Sequence, residues 1–95
     1  MKLKIVESRK KGKKYDAIFT KDDGRQKVVP FGAKGYSDYT MHHDEERKDR
    51  YLERHKEKEH WDQPMTAGAL SRFILWEKPN LTEAVKAFKK RFNII

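Results

Sequence analysis

The sequence predicts a single small α+β domain spanning residues 1–95, with a small N-terminal antiparallel β-meander of about three strands packed against about three C-terminal helices. Three observations predict it. Alternation of apolar and polar residues, the period of a half-buried strand, is confined to the first third of the chain. Helix-start residues followed by apolar residues at helical spacing occur only from Asp44 onward. A chain of 95 residues also has material for only one core, because a domain of that size buries only about two-thirds of the surface its unfolded chain exposes.

Leu3 and Ile5 alternate with Lys2 and Lys4 in a first strand that loses its pattern at Ser8, and Arg9 to Lys14 around Gly12 form a basic turn. Tyr15, Ala17 and Phe19 alternate with Asp16, Ile18 and Thr20 in a second strand, which Lys21-Asp22-Asp23-Gly24 ends as a strong turn signal. Arg25 to Phe31 makes a third strand, closed by Pro30 and Gly32. Proline lacks the N–H that a central strand needs, so that end belongs at a sheet edge. Gly32 to Thr40 has two glycines and no period, and is expected to be an aromatic-rich loop.

Asp44 to Lys58 contains neither glycine nor proline and begins with acids, which the positive N-terminal end of a helix favours. Its only apolar residues are Tyr51 and Leu52, so this helix is expected to be peripheral. Trp61 to Pro64 breaks it, and Thr66 is the expected N-cap of a second helix running to about Trp76. Leu70, Phe73, Ile74 and Leu75 leave that helix little polar face, which puts it at the buried centre. Asn80, with Glu83 at capping-box spacing, starts a third helix. Its apolar stripe is Leu81, Ala84, Val85, Phe88, Phe92 and Ile95, with the lysines largely away from it. The expected core is Ile5, Ala17, Phe19, Val28, Phe31, Tyr51, Leu70, Phe73, Ile74, Trp76, Val85, Phe88 and Phe92.

Composition excludes several function classes. The absence of cysteine removes disulfides, thiolate zinc sites and thiol nucleophiles. The longest apolar run, Phe73 to Trp76, is far short of the ~20 residues that span a bilayer, so no membrane partner is expected. The N-terminal residues lack the apolar stretch and cleavage site of a secretion signal, which points to an intracellular setting.

The 23 Lys and Arg outnumber the 15 Asp and Glu, leaving a net charge of +8. The excess is terminal: Met1 to Lys14 holds seven basic residues and one acid, and Pro64 to Ile95 six basic and two acidic. Met41 to Gln63 is net negative. If the fold brings the chain ends together, Arg9, Lys10, Lys11, Lys13 and Lys14 join Lys86, Lys89, Lys90 and Arg91 in one positive surface. Such a surface suits phosphates, because each one neutralised releases counterions.

The string Phe31-Gly32-Ala33-Lys34-Gly35-Tyr36-Ser37-Asp38-Tyr39-Thr40 is followed by His43-Asp44, Arg47, Tyr51, Arg54-His55 and Trp61. It continues through Thr66-Ala67-Gly68-Ala69-Leu70-Ser71-Arg72-Phe73-Ile74-Leu75-Trp76. Together they resemble a family of small basic proteins encoded by large double-stranded DNA viruses of algae and protists. The resemblance covers about Tyr15 to Phe92. It implies a viral setting, in the host cytoplasm or nucleus or packaged in the virion, and brings no catalytic residue with it.

Four constellations carry chemistry. Of Arg47, Arg50, Tyr51, Arg54 and His55, the residues Arg47, Tyr51 and Arg54 or His55 are spaced by three and four, so they project from one helix face suited to bidentate phosphate contacts. The competing reading has Glu46, Asp49, Glu53 and Glu57 neutralise those arginines in i to i+4 pairs. His42, His43, His55 and His60 lie among carboxylates, but His55 and His60 are five apart and no HExxH pattern occurs, so no metal site is expected. In the loop, Lys34 adds charge while Tyr36 and Tyr39 either stack on bases or seal the sheet against the helices. Ser71 has no nucleophile-elbow motif around it, and Arg72 is expected to pair with Asp38 or Asp44.

The leading expectation is a non-enzymatic nucleic-acid-binding protein without catalytic residue, metal or cofactor. Its expected contacts are Arg9, Lys10, Lys11, Lys13, Lys14, Lys34, Tyr36, Arg47, Arg54, Lys86, Lys89, Lys90 and Arg91. The alternative is a virion structural or assembly protein that binds a viral protein partner through the aromatic loop and Trp61. A third reading is a metal-dependent nuclease built on His43, Asp44 and His55.

Overall fold

The computed structural model describes residues 1–95. Strands β1 (Lys2–Glu7), β2 (Lys13–Thr20) and β3 (Gln26–Ala33) form an antiparallel sheet in the order β1-β2-β3. Helices α1 (Tyr39–His42), α2 (Glu45–His55), α3 (Ala67–Leu70) and α4 (Leu81–Arg91) follow, and α3 continues directly into a π-helical turn over Ser71–Leu75. The α+β class and the three-stranded meander are as the sequence predicts. No helix is long and apolar enough to cross a membrane.

Register decides which strand residues face the helices. Leu3 pairs with Phe19, Ile5 with Ala17, and Phe31 with Tyr15, and these side chains share one face because successive residues alternate across a sheet. Val28 pairs with Ile18, one step out of phase, so it is 51% exposed rather than part of the core. Val29, its neighbour, packs against the core in its place. Pro30 lies in β3, an edge strand, as its missing N–H requires.

Ten buried residues make the core: Leu3, Ala17, Phe19, Phe31, Leu70, Phe73, Ile74, Leu75, Phe88 and Ile94. Ile5, Trp76, Val85 and Phe92, expected at its centre, are half-buried and pack around it. Tyr51 is buried outside that cluster. At the end of α4 the helical stripe stops short: Asn93 turns left-handed at φ 53°, Ile94 is buried, and Ile95 is 75% exposed. The Leu3 N–H donates to the Ile95 carbonyl at 2.8 Å and the Ile95 N–H to the Met1 carbonyl at 3.0 Å, which ties the chain end to the edge of β1.

Each helix starts at a side-chain cap. Asp44 accepts from the N–H groups of Glu46 and Arg47, and α2 ends at His55, one turn before the predicted Lys58. Thr66 and Asn80 cap α3 and α4 as expected. The predicted loop is corrected at its end, where Asp38 accepts from Thr40 N and starts the single turn of α1. The second predicted helix is regular for only four residues. It then widens so that the Trp76 N–H reaches back to the Ser71 carbonyl, and three consecutive side chains, Phe73, Ile74 and Leu75, are buried there. The π-helical turn leans on β3 at Gly32, where a Cβ would stand 2.9 Å from Leu75 Cδ1 and 3.2 Å from Lys14 Cβ.

Arg72 does not reach Asp38 or Asp44. Its guanidinium donates to Glu77 Oε2 at 2.8 Å and lies over the rings of Phe73 and Trp61. Glu77, five residues on, is closer in space because the helical turn ends at Trp76 and the chain folds Glu77 back. Asp38 is engaged instead by the Lys14 ammonium, in a pair whose side chains are 4% and 13% exposed.

Candidate functional site

A cleft of about 760 Å³ lies between the β2–β3 end of the sheet, the Gly35–Asp38 segment, α2 and α3. Helix α2 supplies one wall. Arg47, Arg50, Tyr51, Arg54 and His55 all line it, as side chains spaced by three and four must when one helix face turns inward. The acids of the helix are phased away from that face. Glu53 pairs with Lys56, the residue just past the end of α2, and neither Arg50 nor Arg54 has a carboxylate at ion-pairing distance. Arg47 donates to Ser37 Oγ at 2.9 Å. The expected i to i+4 neutralisation of these arginines by Glu46, Asp49, Glu53 and Glu57 does not form.

A series of rings holds this wall in place. The Tyr51 ring stacks on Trp76 with centroids 4.3 Å apart and planes within 4°. His55 stacks on the same tyrosine at 4.2 Å, and His42 leans on Trp76 at 5.3 Å. Glu59 fixes the outer ring: its carboxylate bonds His55 Nδ1 at 2.9 Å and accepts from Trp61 Nε1 at 3.0 Å. Burial pushes the Tyr51 hydroxyl well above the ordinary phenol range, with the charge of Glu59 adding to it, so the phenol stays neutral.

His42 is neutral for a related reason. Burial, and then the nearby Arg47 charge, push its imidazole below the ordinary histidine value. Its Nδ1 accepts the Asp44 N–H at 2.9 Å, which leaves the proton on Nε2, a buried atom without a hydrogen-bond partner. Protonating Nδ1 would cost the bond to Asp44.

Lys13 and Tyr36 also line the cleft. Tyr36 is 72% exposed and follows Gly35, which is left-handed at φ 92°. No other ring lies against it, in contrast to Tyr39, which is buried and donates to Glu45 Oε1 at 2.8 Å. The two tyrosines of the loop thus divide the two readings, Tyr39 sealing the fold and Tyr36 facing the cleft.

Of the residues expected to contact nucleic acid, Lys13, Lys14, Tyr36, Arg47 and Arg54 line the cleft, with the Lys14 charge already committed to Asp38. Arg9, Lys10 and Lys11 are exposed in the adjoining β1–β2 turn. Lys34 is exposed nearby, its N–H donating to the Gly12 carbonyl. Lys86, Lys89, Lys90 and Arg91 belong elsewhere. Their helix ends beside the joined chain termini, at the far end of β1 from the basic turn, a separation of about 20 Å for a strand of this length. Lys90 and Arg91 line a second recess of about 370 Å³ with Phe73, Glu77 and Lys78, and the Arg91 guanidinium lies 4.3 Å from the Phe73 ring centre. The two basic clusters are therefore not one surface.

The cleft also contains Arg50, His55, Ser71 and Trp76, absent from the expected contact set. Arg50 was legible from its spacing to Arg47 and Arg54. Trp76 was not, because only the packing of α2 on the π-helical turn brings it there. No three His, Asp or Glu side chains come together in a way that could hold a metal ion. His43 bonds the Thr40 carbonyl, Asp44 caps α2, and His55 is held by Glu59.

A family model described as a family of unknown function (DUF5754) matches residues 3–55. The match runs from β1 to the last residue of α2 and so includes Lys13, Tyr36 and the arginines of the cleft. No curated protein and no solved structure matches the chain.

Proposed function

The chain belongs to that family, and from the cleft itself we propose that it is a small non-enzymatic nucleic-acid-binding protein. The backbone phosphates lie on Arg47, Arg50, Arg54 and Lys13, and Arg9, Lys10, Lys11 and Lys34 extend the positive field around them. The observation that carries this reading is the pairing state of the arginines: Arg50 and Arg54 line the cleft with no carboxylate at ion-pairing distance, the cleft's own Asp38 and Glu59 being engaged by Lys14 and by His55 and Trp61. A guanidinium fork left open in a concave site matches the paired oxygens of a phosphate. The net charge of +8 favours the same class of partner. The likeness of the 31–76 string to viral proteins favours a role beside a viral genome.

The test is a titration of fluorescent single- and double-stranded oligonucleotides at two salt concentrations. Binding is expected to weaken steeply with salt, with a log-log slope of several units, since each neutralised phosphate contributes about 0.7 to 0.9 to it. Absence of binding at low salt overturns the reading. A second reading, an assembly protein that docks a protein partner, rests on the exposure of Tyr36 at 72% and Met41 at 62%. Trp61 does not add to that surface, since its indole donates to Glu59 and it packs against the core. An apolar contact of that kind would persist as salt is raised.

A further inference from the structure

We propose that the cleft is selective for single strands: one unpaired base lies on the Tyr36 ring while an adjoining phosphate lies on Arg50 and Arg54. This rests on the nucleic-acid reading and adds the strand state and the base contact to it.

Tyr36 carries the argument. A phenol ring left 72% in water beside a cleft forgoes the burial that every other tyrosine of the chain obtains at least in part. Tyr15 lies against Phe31, Tyr51 against Trp76 and His55, and Tyr39 against His42. Tyr36 has no such neighbour, and most of its surface is in water. A planar apolar face with a polar tip suits a nucleobase, whose π-face any sequence presents once it is unstacked.

The charges sit where the sugar-phosphate of such a base would run. Lys13 and Tyr36 line the same cleft of about 760 Å³ as the arginines of α2. That volume falls within the range of about 300–1,000 Å³ that takes compact ligands. A base inside a duplex keeps both faces stacked and cannot enter such a cleft, whereas the outer lysines and arginines can touch either form. Strand selectivity therefore comes from Tyr36, and overall affinity from the cations.

The experiment measures anisotropy for three probes of equal length: a labelled dT oligonucleotide, a duplex, and an oligomer of abasic deoxyribose phosphates. Each is titrated into the wild-type chain, Tyr36→Ala and Arg50→Gln. The dT strand is expected to bind roughly tenfold more tightly than the abasic strand, in line with one stacked base. Tyr36→Ala should abolish that difference without altering duplex affinity or the salt slope. Arg50→Gln should weaken all three probes and lower the salt slope by about one. Both residues are exposed, and circular dichroism of each variant is to be compared with that of the wild-type chain. Equal binding of the dT and abasic strands, or a Tyr36→Ala variant that keeps the difference, overturns this inference and leaves phosphate binding standing. No binding of any probe at low salt overturns the nucleic-acid reading and this inference with it.

Discussion

The Tyr51 and Trp76 rings lie parallel to within 4° and 4.3 Å apart, one on α2 and the other at the end of the π-helical turn. This contact fixes the rotation of α2 about its own axis. Tyr51 points at Trp76, so Arg47 and Arg54, four and three residues from it, line the cleft together with Arg50, which is three and four residues from those two, and the acids point out. Trp76→Ala removes the stack and opens a cavity beside a buried tyrosine. It is expected to destabilise the domain by about 3 kcal/mol in a urea titration. Trp76→Phe, which keeps a ring there, should cost less than half as much.

Asp38 serves two partners at once. It caps α1 through Thr40 and balances Lys14 in a nearly buried pair. Asp38→Ala loses the cap and strands the ammonium, and is expected to lower stability by about 3 kcal/mol, read from chemical denaturation. Removal of an exposed pair such as Arg25 with Asp23 should change it by less than about 1 kcal/mol.

His42 makes stability depend on pH. Its native-state value lies below the ordinary 6.5, so the unfolded chain takes up the proton first. The stabilisation from neutral His42 is complete above 6.5 and is lost as pH falls from there through the depressed native value. The Tm of the wild-type chain should fall between about pH 7 and about pH 5.5, a window in which ordinary carboxylates stay ionised. His42→Gln, which can still accept the Asp44 N–H, is expected to flatten that fall.

Gly32 sits where a strand meets the π-helical turn. Its φ of 80° disfavours any side chain, and a Cβ would press on Leu75 and Lys14. Gly32→Ala should cost about 2–3 kcal/mol from backbone strain and overpacking together, measured as a lowered denaturation midpoint. Gly24→Ala shares the backbone strain, at φ 88°, but meets nothing within 4 Å and is expected to cost less.

Much of this molecule is legible in its sequence because it follows from local rules. Strand alternation, the Asp22-Asp23-Gly24 turn, and the caps Asp44, Thr66 and Asn80 act over a few residues, and each appears where its pattern stands. The common arginine face of α2 follows from the helical period alone. Val28 shows the limit of such reading. Its side chain is apolar and in a strand, yet its parity with Phe31 puts it on the outer face opposite Ile18. Alternation, applied strictly from Phe31, would have selected Val29.

The sequence by itself determined the α+β class, the order of elements, the positive charge and the face that Arg47, Arg50 and Arg54 share. Those are consequences of composition and of periods of two and 3.6 residues. Tertiary structure decided which charges meet. It sends the lysines of α4 to the opposite end of β1, commits Lys14 to Asp38 and Arg72 to Glu77, and brings Lys13 and Tyr36 into one cleft with the arginines. A charge finds its partner by distance in space, and that distance depends on how the sheet, α2 and the π-helical turn pack around Tyr51 and Trp76.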